Sequence, residues 1–343
     1  MAIHLALRPY RRRFRQPLQT AHGLWRWRRG VILRLADDRG RVGYGEVAPL
    51  PWFGTETLAE ALAFLSQLGP GQVMEPVPDR LPGCQFGLGA ARWMLDHPQD
   101  LEASPPDQGP TSALLPAGAA ALDAWPTPWQ QGLRTLKWKI GLASPGEEIP
   151  LLQRLVQTLP AIATLRLDAN GGLTEPRARD WLQVCDRINN SARGPRIEYL
   201  EQPLPATALA AMGRLARQYQ TPLALDESVV TADQLQRCQQ LGWPGVLVVK
   251  PAIAGDPQRL RQVWGTGGTP LVFSSVFETG VGRRVGLALA HQYQQQTGQS
   301  LALGFDTLNR FEDDWDQLSP HQLWQRLWAP FPPSAPAWNG SDS

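Results

Sequence analysis

The sequence predicts an α/β chain: a (β/α)8-type, TIM-like barrel with an N-terminal α+β capping domain. Three observations predict it. From about residue 111 short apolar runs alternate with helical patterns, as strands of a parallel sheet alternate with their crossover helices. Marking each run by its terminal polar residue gives Lys139, Asp168, Glu201, Asp226, Lys250, Ser274 and Gly304, at intervals of 29, 33, 25, 24, 24 and 30 residues. An eight-unit barrel of about 250 residues allots roughly 31 to each unit. Before residue 105 the pattern changes to the alternation of antiparallel strands.

In chain order, Arg11-Arg12-Arg13-Phe14-Arg15 reads as an arginine-bearing surface strand. Gly30-Val31-Ile32-Leu33-Arg34-Leu35 and Val42-Gly43-Tyr44-Gly45-Glu46 alternate as further strands, and helical patterns begin near Thr55 and Phe86. Residues 1–104 are therefore expected to form the capping domain, completed by the segment 309–343, with residues 111–308 as the barrel. The Pro- and Gly-containing stretch 104–110 serves as linker. Thr111-Ser112-Ala113-Leu114-Leu115 is a weak first strand that brings the count to eight. Thr174 before Glu175-Pro176 marks a helix start, followed by Trp181, Leu182, Cys185 and Ile188 at helical spacing; Asp256-Pro257 opens another helix in the same way. The Pro- and Ser-rich tail from Ala329 to Ser343 is expected to be loosely ordered.

Composition narrows the function classes. A chain of 343 residues with 43% hydrophobic content has ample material for a large core. A net charge of only +2 argues against nucleic acid as partner despite the arginine run. Cys84, Cys185 and Cys238 are odd in number and far apart, which suits free thiols in a reducing compartment, so a cytoplasmic location is expected. Nowhere do about 18 consecutive apolar residues occur, so no membrane insertion is expected. Composition leaves the oligomeric state open between monomer and dimer.

Lys and Arg together number 33, yet only Lys137, Lys139 and Lys250 are lysine. A chain that uses arginine wherever a positive charge suffices keeps lysine where a compact, deprotonatable amine is needed. Lys137 and Lys139 stand two apart in one predicted strand and so share a face. Between them and Lys250 come Asp168, Glu201 and Asp226, each ending one of three consecutive predicted strands. Three carboxylates gathered at a barrel mouth repel one another unless a cation lies between them, and hard oxygen donors favour Mg²⁺, with Mn²⁺ as a substitute. The competing reading for any one acid is an arginine partner or a helix cap. Lys137 and the nearby metal are expected to depress the Lys139 amine, making it a general base. Arg166 and Asn170 share the inward face with Asp168 and are expected to support it.

These residues resemble a known family. Lys137-Trp138-Lys139, Asp168-Ala169-Asn170, Glu201-Gln202-Pro203, Asp226-Glu227-Ser228 and Lys250-Pro251 are similar, in order, to the motif set of the enolase superfamily, muconate-lactonizing subgroup. Gly43-Tyr44-Gly45-Glu46-Val47-Ala48-Pro49 is similar to that family's capping domain. Ser274-Ser275-Val276-Phe277-Glu278-Thr279-Gly280 and Gly304-Phe305-Asp306-Thr307-Leu308 look most like the o-succinylbenzoate synthase branch, in which N-acylamino acid racemases and dipeptide epimerases are the neighbouring alternatives. The resemblance implies a Mg²⁺-dependent syn dehydration of a succinyl-bearing hydroxycyclohexadiene carboxylate, in menaquinone or phylloquinone synthesis. It implies Lys139 as base, Lys250 as a fixed cation on the opposite face, and Lys137 as a third catalytic lysine that tunes Lys139 and touches the carboxylate. Ser274 and Ser275 are then expected near the substrate, and Glu227 and Glu278 as supporting partners or members of structural salt bridges. Thr20-Ala21-His22-Gly23 and Leu50-Pro51-Trp52-Phe53-Gly54 are expected as lid loops, with His22 either meeting the succinyl tail or an ordinary loop histidine. The remote alternative is a barrel that binds an acidic ligand without catalysis.

Overall fold

The computed structural model describes residues 2–20, 23–97, 109–191, 194–265 and 268–327. His22, most of the predicted linker and the tail from residue 328 lie outside the described residues. Three strands, β1 (Ile3–Thr20), β2 (Gly23–Asp37) and β3 (Val42–Val47), pair antiparallel in the order β1-β2-β3. Alternation divides β2 between two environments. Val31, Leu33 and Leu35 pack against helices α1 (Leu58–Ser66) and α2 (Pro82–Asp96), whereas Ile32 joins the barrel's core. Helix α1 opens on a reciprocal Thr57–Glu60 capping box, and α2 on Pro82 at its first position.

Contact between β3 and α2 explains the glycines of the Gly43-Tyr44-Gly45 stretch. A Cβ on Gly45 would stand 1.9 Å from the Gly87 carbonyl oxygen, and one on Gly43 2.0 Å from that of Ala91. Strand and helix backbones therefore approach as closely as only glycine permits.

Seven parallel strands follow: β4 (Ser112–Leu114), β5 (Thr135–Lys139), β6 (Thr164–Asp168), β7 (Arg196–Glu201), β8 (Leu223–Leu225), β9 (Val246–Val249) and β10 (Leu271–Phe273). The expected eighth strand is reduced to two residues, yet it closes the ring. The Ser112 amide donates to the Leu303 carbonyl at 2.8 Å, and the Gly304 amide donates to the Phe273 carbonyl at 2.8 Å. Gly304 has no side chain because the Ser274 hydroxyl lies 2.5 Å from where its Cβ would be. Helices lie between successive strands, among them α3 (Ala121–Ala124), α4 (Pro126–Gln130), α5 (Pro145–Thr158), α6 (Glu175–Asn189), α7 (Leu209–Gln218), α8 (Ala232–Gln240), α9 (Pro257–Trp264) and α10 (Gly280–Thr297). As expected, Asp256 caps α9, accepting from the Gln258 and Arg259 amides. The molecule is thus a (β/α)8-type barrel with an N-terminal capping domain.

Beyond the barrel the chain returns to the capping sheet. The Arg15 amide donates to the Arg310 carbonyl at 2.8 Å and the Glu312 amide to the Arg13 carbonyl at 3.0 Å, adding residues 310–312 to the edge of β1. The last described helix, α11 (Pro320–Arg326), packs beside Tyr44, whose hydroxyl lies 3.0 Å from His321 Nδ1. One expectation about β1 needs correcting. Arg13 and Arg15 are exposed, but Arg12 is buried and ion-paired to Asp313 and Asp316 at 2.7 and 2.8 Å, because alternation turns it beneath the returning segment. All three cysteines are free and buried. Among the described residues no helix is long and apolar enough to cross a membrane.

Candidate active site

A cavity of about 590 Å³ lies between the barrel mouth and the capping domain. Lys137, Lys139, Asp168, Glu201, Asp226 and Lys250 all line it, joined by Trp25, Leu50, Trp52 and Phe53 from the capping side. Strand order explains the convergence. β5 and β9 are four places apart in an eight-membered ring, so Lys139 and Lys250 come from diametrically opposite strands. The three acids end the strands between them, with Lys139, Asp168 and Glu201 directly paired in register.

The two neighbouring lysines differ in their surroundings. Lys137 Nζ sits 2.7 Å from both Asp168 Oδ2 and Glu201 Oε1. Burial alone would lower its pKa, but the two carboxylates outweigh burial and hold the ammonium well above the ordinary lysine value. Lys137 is therefore a firmly held cation between two acids, placed beside Lys139 on the same strand. The Lys139 amine has no hydrogen bond or ion pair among the described residues, although its backbone belongs to the sheet. Lys250 donates to Asp226 Oδ1, and its Nζ lies 4.7 Å from the centre of the Phe53 ring, a cation–π contact.

Carboxylate repulsion is visible in the acids. Burial, together with Asp168, pushes Glu201 up to about 8. Asp168 is also opposed by burial, but Lys137 and the Asn170 amide bring it below its ordinary value. Glu227 is pushed up to about 7 by burial, Asp226 and Asp168, and one of its carboxylate oxygens is buried without a hydrogen-bond partner. Among the described residues no three His, Cys, Asp or Glu side chains converge into a ready cage, because Lys137 and Lys250 stand within the cluster. The donor chemistry nevertheless fits a hard divalent cation: Asp168, Glu201 and Asp226 offer oxygen donors whose mutual repulsion such an ion would relieve.

Around this centre the remaining residues sort themselves. Asn170, at φ 42°, donates its backbone amide to Asp168 Oδ1 at 3.0 Å and its side-chain amide to Glu227 Oε1 at 3.2 Å. It thereby fixes both acids. Arg166 lines the cavity but is held 2.6 Å from Glu198 Oε2 and over the Tyr199 ring. Ser274 donates to the Gly304 carbonyl, and Ser275 donates to Glu278 Oε2 at 2.9 Å. Both serines line the cavity; Glu278 does not, and instead braces the loop by also accepting from the Val276 amide at 2.7 Å. Glu227 and Glu278 form no salt bridge among the described residues.

Sequence reasoning missed three residues. Glu198 pairs with Arg166 only because the β6–β7 register shifts between Leu165 and Arg166. Gln202, fully buried at φ 36°, accepts from the Asp226 and Ser228 amides and donates to the Ser228 hydroxyl, aligning one acid-bearing loop on the next. Its place inside the Glu201-Gln202-Pro203 motif was the signal that could have found it. Glu46 of β3 accepts from the Tyr10 hydroxyl, the Thr279 amide and hydroxyl, and the Gly282 amide, joining capping sheet to barrel helix α10.

Comparison with known proteins agrees with this arrangement along the chain. Residues 122–316 match the family model described as enolase C-terminal domain-like, and residues 17–95 match the MenC N-terminal domain. An o-succinylbenzoate synthase of Thermosynechococcus vestitus is 41% identical over 326 residues, covering 91% of this chain and 98% of the relative. One of Pectobacterium atrosepticum is 34% identical over 266 residues, covering 74% and 76%. The crystal structure of o-succinylbenzoate synthase from Thermosynechococcus elongatus BP-1, complexed with Mg in the active site, has a TM-score of 0.84 at 39% identity over 96% of this chain and 99% of that one. A dipeptide epimerase from Enterococcus faecalis V583 shares the fold, with a TM-score of 0.76 at 21% identity over 91% and 92% of the two chains. The Thermosynechococcus relatives span nearly the whole of this chain, capping domain and barrel alike, and the chain belongs to the o-succinylbenzoate synthase family.

Proposed function

We propose that this chain is a hydro-lyase that dehydrates a succinyl-bearing hydroxycyclohexadiene carboxylate to o-succinylbenzoate, an aromatic precursor of menaquinone or phylloquinone. Asp168, Glu201 and Asp226 would hold Mg²⁺, which when bound supplies Lewis-acid stabilisation of the substrate's ring carboxylate. Lys139 removes the proton beside that carboxylate and returns it, on the same face, to the departing hydroxyl. Lys250 remains an ammonium on the opposite side and steadies the negative charge that develops. Lys137 and Asn170 keep the acids oriented, while Trp52 and Phe53 cover the reacting ring and exclude water.

The observation that carries this reading is the contrast between the two opposed amines. Lys139 is the one with no acceptor among the described residues; Lys250 is committed to Asp226 and Phe53. Such a pair suits one base and one fixed cation better than the two interchangeable bases of a racemase. Purified protein with Mg²⁺ and the diene substrate is expected to develop the ultraviolet absorbance of the aromatic product. If it instead washes solvent deuterium into an N-succinyl amino acid and leaves the diene untouched, racemisation is the better reading.

The proposed division assigns residues 1–104, with 309–343, to the capping domain and 111–308 to the barrel. The Arg15 amide's bond to the Arg310 carbonyl and the Glu312 amide's bond to the Arg13 carbonyl support it. Three buried free thiols support a cytoplasmic setting.

A further inference from the structure

We propose that Arg310 recognises the second carboxylate of the substrate, the free end of its succinyl arm. The assignment depends on the dehydration reading above, which makes the substrate a dianion with charges at its ring and at the tip of its arm. Five cationic side chains line the cavity: Lys137, Lys139, Arg166, Lys250 and Arg310. Three of them are ion-paired within hydrogen-bonding distance, although Arg166 keeps a buried Nη2 without a partner, and a fourth is reserved for the reaction. Lys137 is held between Asp168 and Glu201, Arg166 lies against Glu198, Lys250 is bound to Asp226, and Lys139 must keep its amine free for the proton.

Arg310 is differently placed. It sits on the segment that pairs with β1, so it belongs to the capping side of the cavity, away from the strand ends that carry the acids. Its only side-chain contact among the described residues is Nη2 to Asp306 Oδ2 at 3.6 Å, beyond hydrogen-bonding distance. Asp306 Oδ2 is itself 3.3 Å from the Leu114 amide, which fixes the acid at the rim and leaves the guanidinium tethered beside it. A guanidinium presents five N–H donors in a planar fork that matches a carboxylate two-fold. Arg310 lines the cavity, and its fork makes no hydrogen bond among the described residues. The side chain is 38% exposed, so it costs little to desolvate and can exchange water for a ligand. Arg310 thus acts as a specificity-determining residue that selects substrates carrying a second acid.

The test compares kcat/KM for the diacid substrate and for the methyl ester of its succinyl carboxylate, in the unaltered chain, Arg310→Met and Arg310→Lys. The unaltered chain is expected to favour the diacid by about tenfold or more, the effect of one partly exposed charge-assisted pair. Arg310→Met is expected to reduce that preference below about twofold, mainly through KM, and Arg310→Lys to restore part of it. Calorimetric binding of o-succinylbenzoate and its methyl ester to the same proteins gives a second readout that needs no turnover. Undiminished preference in Arg310→Met, or an equal loss on both compounds, would overturn the assignment while leaving the dehydration reading intact. No aromatic product from the unaltered chain would overturn both.

Discussion

Lysine scarcity is the residue-scale clue that survives best. Lys137, Lys139 and Lys250 were legible because arginine serves everywhere else, and all three line one cavity with the acids that the strand ends supplied. Their individual states were not legible. Whether an amine is depressed by a neighbouring lysine or held up by a carboxylate depends on side-chain distances that residue spacing cannot give, and Lys137 went to the carboxylates. Glu198 was hidden for a similar reason, since a register shift in β7 defeats any count based on strict alternation. Lys137→Ala should leave Asp168 and Glu201 facing each other without their cation. The expected result is a chain destabilised by about 3 kcal/mol in the absence of metal, read by urea unfolding, with much of the loss recovered on adding Mg²⁺. No recovery would mean that the acids do not share an ion.

Among the elements, helix starts and strand ends were readable, although Thr174 opens its helix without a side-chain capping bond while Asp256 makes one. β5, β6 and β7 end at the polar residues that marked them, because a fully buried run must stop where a charged side chain reaches the cavity. The eighth strand, marked in the sequence by Gly304, has only Leu303 and Gly304 hydrogen-bonded to both neighbours, because a short bridge suffices to close the ring. The contact of β3 with α2 was unreadable, although its glycines were noticed. Gly45→Ala forces a methyl group into the Gly87 carbonyl, so strand and helix must separate. A loss of about 1–3 kcal/mol is expected in thermal or urea unfolding. A variant as stable as the unaltered chain would show that this packing is looser than described.

For the whole molecule, the capping domain and barrel are joined by buried polar chemistry as well as by apolar packing. Glu46 accepts from four donors on both sides of the boundary, and Glu46→Gln, which swaps an acceptor for a donor there, should cost about 1–3 kcal/mol. It should also raise KM, because Trp52 and Phe53 reach the cavity from the capping side; an unchanged KM would separate the clamp from the lid.

The charge cluster adds a pH dependence. Glu201 and Glu227, pushed up to about 8 and about 7, bind protons more tightly folded than unfolded. Their contribution is complete below the ordinary carboxylate range and is lost as pH rises through 7 and 8. The metal-free chain should therefore melt at a lower temperature at pH 8 than at pH 5.5. Mg²⁺, which requires the ionised acids, should raise the melting temperature more at pH 8. Equal shifts at the two pH values would contradict the assignment of Glu201 to the ion.

The central claim is that Lys139 moves the proton. An arginine in its place would keep the positive charge but could not lose it, so the decisive measurement is the rate of aromatic-product formation by Lys139→Arg relative to the unaltered chain, at saturating Mg²⁺ and substrate. A fall in kcat of about 10²- to 10⁴-fold, in a protein that still binds o-succinylbenzoate, is the predicted result. Turnover within a few-fold of the unaltered chain would contradict it.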